Sequence, residues 1–136
     1  MAELRIYSEG AGERGFIEQV LTPHLLSFGI YVRGAYWGHS SRSPSGGIRN
    51  WVGEKRGAKV ELVRALQQCS PGYNLYVTTM VDYYALPLDW PNRATASTLP
   101  AARRSLRVEE GMIEDIRNEV GDDGHLERFI PYVCLH

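Results

Sequence analysis

The feature that most constrains this chain is the alternation of short β-type runs with amphipathic helical segments. Residues 4–8, Leu-Arg-Ile-Tyr-Ser, read as a strand that stops at Glu9-Gly10. From Glu13 to Phe28 the apolar residues Phe16, Ile17, Val20, Leu21, Leu25 and Phe28 recur at helical spacing. Pro23 is expected to kink this helix and Gly29 to end it. Residues 30–37 read as a second strand, and 58–69 as a helix with Leu62, Val63, Leu66 and Cys69 inward. Residues 74–81, Asn-Leu-Tyr-Val-Thr-Thr-Met-Val, are apolar on both faces, as a central strand covered on both sides must be. The spacing then predicts a helix over 101–120, with Val108, Met112, Ile113, Ile116 and Val120 inward. A last strand follows over 128–135, where Pro131 argues for an edge or a bulge.

The order β-α-β-α-β-α-β, with no internal repeat, implies an α/β fold: three layers, a mostly parallel sheet with helices on both faces. A length of 136 residues suits one domain, 1–136. A polar stretch over 38–57 interrupts it, long enough to be functional or mobile, and carries Arg42, Arg49, Lys55 and Arg56. A solvated loop and a phosphate-contacting flap are both compatible with it, the solvated loop slightly favoured. Residues 87–100, with Pro87, Pro91 and Pro100, read as irregular, and 121–125 as a turn.

In parallel sheets ligands bind beyond the carboxyl ends of the strands. Glu9 ends the first strand and Asp82 the third, so both carboxylates are expected at one rim. Glu13, four residues after Glu9, gains from the helix dipole, but that leaves Glu9 beside it and repelled. A divalent cation would relieve the repulsion, and magnesium needs few protein carboxylates. For Asp82, metal or phosphate chemistry at the rim and a cap on the turn that follows the strand are about equally supported by spacing. Gly10, Gly12 and Gly15 spell Gly-x-Gly-x-x-Gly between a strand and a helix. Glu9 and Glu13 would repel a pyrophosphate there, so dinucleotide binding ranks low. A phospho-acceptor role for Asp82 would need a lysine at the end of a late strand, which is missing.

The remaining composition excludes more than it suggests. Net charge is −1, against bulk attraction to nucleic acid or anionic membrane. Every lysine or arginine except Lys55 and Lys59 is arginine, a bias that suits phosphate binding but that genome composition explains more readily. Cys69 and Cys134 stand in no metal-ligand spacing, and both are expected in the core. His24, His39, His125 and His136 form no metal-binding pair or catalytic triad by spacing. Trp37, Trp51 and Trp90 lie near loops, where an interface competes with core filling. With no apolar signal region and no membrane-length run, a cytoplasmic location is the expectation.

Four segments carry a family resemblance. They are Ile6-Tyr7-Ser8-Glu9-Gly10 with Glu13, Val20-Leu21-Thr22-Pro23-His24-Leu25, Val77 to Pro87 with its Asp82-Tyr83-Tyr84-x-Leu86-Pro87, and Phe129-Ile130-Pro131-Tyr132-Val133-Cys134-Leu135-His136. Together they resemble the bacterial DUF4276 family, which looks related to the Toprim-like domains of OLD-family nucleases. That resemblance implies a Toprim-like fold and Mg²⁺- or Mn²⁺-dependent phosphodiester chemistry, with Glu9 and Asp82 catalytic and Glu9, Glu13 and Asp82 as metal ligands. Arg14, Arg42 and Arg49 are the phosphate-contacting candidates. Expected partners are nucleic acid, DNA foremost, an ATPase protein in defence against phage or foreign DNA, and a second copy of the chain. Tyr84 stands where the Toprim Asp-x-Asp has its second aspartate, and the family's acidic segment after the closing histidine is not present. On that ground the chain reads as C-terminally short, and a non-catalytic partner module is the alternative.

Overall fold

The computed structural model describes residues 1–37, 49–53, 57–122 and 124–135. Strand β1 (Ala2–Ser8) leads into α1 (Ala11–Phe16), a π-helical stretch (Ile17–Leu21) and α2 (Thr22–Leu26). Then come β2 (Ile30–Tyr36), α3 (Ala58–Gln67), β3 (Leu75–Asp82), a 3₁₀ turn (Tyr83–Ala85), α4 (Arg93–Ala96) and α5 (Ala101–Val120). The chain closes with two short strands, β4 (Phe129–Ile130) and β5 (Val133–Cys134). The sheet order is β2-β1-β3-β4, with β5 also on β3, and the pairs β1–β2, β1–β3, β3–β4 and β3–β5 are all parallel.

Alternation along β1 and β3 sorts the apolar residues into two layers. Tyr7, Leu75, Val77 and Val81 enter the larger core with Ala58, Leu62, Ala65 and Leu66 of α3 and Val108, Met112 and Ile116 of α5. Ile6 and Val32 meet Ile17 on the opposite face, under the first helix. Helices therefore cover both faces, as the alternation of elements requires.

The sequence expectations hold in outline and shift in four places. Ahead of Pro23 the helix passes into a π-helical stretch, where the Thr22 N–H bonds the Ile17 carbonyl and the Thr22 hydroxyl donates to it at 2.7 Å. A wider turn of this kind accommodates a residue without an N–H. The last strand breaks at Pro131, and Thr79 bridges the gap. Its hydroxyl donates to the Tyr132 carbonyl and accepts from the Tyr132 N–H, both at 3.0 Å. Thr79 is thereby buried and satisfied, and β4 and β5 keep one register along β3. A short helix, α4, forms in the stretch expected to be irregular.

The fourth shift concerns the tryptophans. An interface role was open for them, but Trp37, Trp51 and Trp90 are each 1% exposed. Trp90 packs against Trp51 at 4.9 Å and Trp37 at 6.0 Å between ring centroids. Every indole N–H has an acceptor: the Glu61 carboxylate for Trp37, Asp115 Oδ2 at 2.6 Å for Trp51, the Arg49 carbonyl at 2.9 Å for Trp90. Buried indoles need such partners. Asp89 adds two more bonds, from the N–H groups of Trp51 and Val52 at 2.9 and 3.1 Å. Residues 49–53, read from sequence as part of a solvated loop, are thus anchored in the core.

A Cβ on Gly57 would stand 2.1 Å from the Val52 carbonyl oxygen and 2.3 Å from that of Trp51. Gly57→Ala must therefore displace this anchor, at an expected cost of about 1–3 kcal/mol for overpacking. Trp51→Ala should cost about 3–5 kcal/mol. Urea denaturation followed by tryptophan fluorescence checks both; an unchanged midpoint for Gly57→Ala would show that the close approach is absent.

Candidate functional site

The strand order contains a reversal. From β1 the chain steps to β2 on one side, then crosses back to β3 on the other. At such a switch point the connections leave on opposite faces, and a crevice opens at the carboxyl ends of the two central strands. Here those strands are β1 and β3, with Ser8 level with Met80. Glu9 follows the last paired residue of β1, and Asp82 is the last residue of β3. Their expected meeting at one rim is what the parallel register produces.

Glu13 joins them from the first turn of α1. A Cβ on Gly10 would lie 3.8 Å from Glu13 Oε2, so this carboxylate folds back toward the strand end. The consequence is visible on Glu9. Partial burial, then the charges of Glu13 and Asp82, push its carboxyl above the usual carboxylate value. Below it, Ser8 is fully buried and its hydroxyl has no hydrogen-bond partner among the described residues.

Asp82 Oδ1 accepts the Tyr84 N–H at 3.1 Å, the turn-capping role anticipated for it. Its Oδ2 accepts no hydrogen bond from the described residues. Tyr84 is half exposed, and its hydroxyl meets Arg104 Nη1 at 3.4 Å.

Two further groups reach this rim. Cys134, expected in the core, is only half buried and pairs in register with Asp82. Burial, then the charges of Asp82 and Glu13, push its thiol up, so it remains protonated at neutral pH. It lines a groove of about 340 Å³ with Gly12, Glu13, Phe16, Met80 and Tyr132. Glu109 of α5 accepts the Val133 N–H; burial raises its carboxyl, against the pull of that bond. Nothing in the spacing of Glu109 within its helix marked it, because its position depends on how α5 lies along β5.

The arginine candidates fare differently. Arg14 is exposed, paired with Glu18 at 2.9 Å and set over the Tyr36 ring at 5.2 Å. Arg49 is paired with Glu61 at 2.5 Å, where it supports the Trp37 anchor. Both guanidinium groups therefore already have carboxylate partners. Arg42, with His39, Lys55, Arg56 and His136, lies outside the described residues. The glycine fingerprint also loses its physical basis. A Cβ on Gly15 would meet nothing within 4 Å, whereas the third glycine of a dinucleotide loop is there for close helix–strand packing.

The donor set fits a hard cation in kind: carboxylate oxygens held at one rim, close enough to feel one another's charge. Among the described residues no three His, Cys, Asp or Glu side chains converge as a preformed cage. One or two carboxylates with water is the arrangement magnesium accepts.

The raised carboxyl has a consequence for stability. Since Glu9 binds its proton more tightly folded than unfolded, its ionisation opposes folding, and the penalty is complete above the folded pKa. Glu9→Gln should therefore raise the melting temperature at pH 7, and the gain should vanish as pH falls below the carboxylate range. Thermal melts across pH test it; a gain independent of pH would rule out the charge crowding.

A protein-family profile described as a domain of unknown function, DUF4276, matches residues 8–136. No curated protein and no solved structure matches the chain significantly. No helix among the described residues is long and apolar enough to cross a membrane. The match begins one residue before Glu9 and takes in the rim carboxylates and both closing strands; the chain belongs to the DUF4276 family.

Proposed function

We propose that this chain is a Toprim-like, divalent-metal-dependent domain that hydrolyses phosphodiesters of nucleic acid, DNA foremost. The observation that carries the reading is the shared field of Glu9, Glu13 and Asp82 at the switch point between β1 and β3. Carboxylates crowded against one another, at the place where parallel sheets bind ligands, call for a compensating positive charge. Family membership supports the reading through the motif resemblance, and the ATPase partner, the role in defence and a cytoplasmic location rest on that resemblance alone.

Of Glu9, Glu13 and Asp82, one or two would contact Mg²⁺ or Mn²⁺ directly, with water completing the shell. When bound, such an ion neutralises phosphate charge and lowers the pKa of a water ligand. The chain's own contribution is positioning. Strand pairing fixes Glu9 and Asp82, and the Tyr84 N–H orients the Asp82 carboxylate. The helix start holds Glu13 over Gly10.

A second reading is favoured by one substitution. With Tyr84 at the second position of the acidic motif, the site has one carboxylate fewer, which suits a non-catalytic module that retains the fold and serves a partner ATPase or nuclease.

Mn²⁺ titration by calorimetry separates these outcomes. Wild type should bind, and Glu9→Ala with Asp82→Ala should abolish binding and Mn²⁺-dependent nicking of plasmid DNA. Binding without nicking favours the partner module. An absence of Mn²⁺ binding in the wild type would sink the metal-dependent reading.

A further inference from the structure

We infer that Arg103, Arg104 and Arg107 of α5 form the phosphate-guiding surface of this site, a reading that rests on the proposed action on nucleic acid. The argument starts from where α5 must run. It leaves the β3 end of the sheet and delivers the chain to β4, whose first residue, Phe129, is level with Val77. Its N-terminal half therefore stands at the carboxyl rim. Glu109 gives the height, because its carboxylate meets the Val133 N–H and Val133 is level with Val81. Arg107 and Arg103 lie two and six residues earlier, about 3 and 9 Å further out along the helix axis.

The charge pattern of α5 runs against its own dipole. Its first seven residues, Ala-Ala-Arg-Arg-Ser-Leu-Arg, carry three arginines and no acid. The remainder carries Glu109, Glu110, Glu114, Asp115 and Glu119 against Arg117 alone. Helices favour the opposite distribution. Departures from a local rule concentrate at functional or strained sites.

The geometry fits a polyanion. Arg104 bridges the Leu99 carbonyl at 2.9 Å and the Tyr84 hydroxyl at 3.4 Å, so it is tied to the turn that Asp82 caps. Arg103 and Arg107, one turn apart and both exposed, line a shallow groove of about 470 Å³ with Leu99, Leu106 and Glu110. Arg103 makes no ion pair among the described residues, and Arg107 meets only the exposed Glu110, at 3.4 Å. Guanidinium groups set along one helix face, at the height of the carboxyl rim and beyond it, suit successive phosphates of a strand. They supply locally the positive surface that the overall charge of −1 lacks.

The test is fluorescence anisotropy with a labelled DNA duplex and its single strand, in EDTA to prevent cleavage, over a salt series. Wild type should bind with strong salt dependence. Arg103→Glu with Arg107→Glu should weaken binding at least tenfold at low salt and flatten the duplex log K versus log[salt] slope by about 1.8. Arg64→Glu with Arg117→Glu carries the same charge change on other exposed surface and should bind nearly as wild type. Glutamate suits the first helical turn at 103 but faces Glu110 at 107, so Arg103→Gln with Arg107→Gln gives a second reading of the same loss without that repulsion. If wild type binds and the α5 variants bind equally well, or both glutamate pairs lose alike, the inference is overturned and the nucleic-acid reading stands. If wild type binds neither DNA, both fall.

Discussion

The parallel pairing of β1 with β3 is the constraint on which the rest depends. It sets Ser8 level with Met80, and so brings Glu9 and Asp82 to one rim although they lie far apart in the chain. It also makes the switch point, since β2 occupies the other edge of β1 and β3 must return across it. Had β3 run antiparallel, Asp82 would sit at the opposite end of the sheet and Glu9 would have no acidic neighbour but Glu13. A β1–β3 ladder buried on both faces leaves the register little freedom, because a slip by one residue would carry Val77 and Val81 out of the larger core.

Stability and function divide the molecule between the two faces. On one side α3 and α5 cover β1 and β3, and the buried tryptophans, with Glu61, Asp89 and Asp115, tie residues 49–53 to them. This polar-edged core leaves no indole N–H unsatisfied, which matters because an unpaired buried donor costs about 1–3 kcal/mol. On the other side the first helix covers β1 and β2, while Met80, Tyr132 and Cys134 remain along an open groove next to Glu13. The rim carboxylates lie where these regions meet. There the protein keeps features that reduce stability, namely carboxylates in one another's field and a buried Ser8 hydroxyl without a partner.

Much of this was legible in the sequence, and the exceptions have physical causes. The strand read as 74–81, and found at 75–82, announced itself because both of its faces are mostly apolar, and the run ends directly on Asp82. Pro131 correctly marked an interruption, but the Thr79 hydroxyl that closes it could not be seen, since the bond joins residues 53 positions apart. Arg49 looked like a phosphate ligand because it stands in a polar stretch; Glu61, from a different element, already neutralises it. Cys134 looked like a core residue because its neighbours are apolar, yet the pleat turns its side chain away from Val133 and toward Asp82.

By itself, the sequence determined the fold class, the strand ends and the acidic identity of what stands there. These follow from periodicity, turn chemistry and residue type, all of which act within a few residues of chain. The tertiary structure decided which of those residues meet. It brought Glu109 and Cys134 to the rim, paired Arg49 with Glu61 of another element, and set Arg104 of α5 against the Tyr84 hydroxyl. Each of these depends on the strand order and on how a helix lies against the sheet. Both are set by burial of the whole apolar surface rather than by any local pattern.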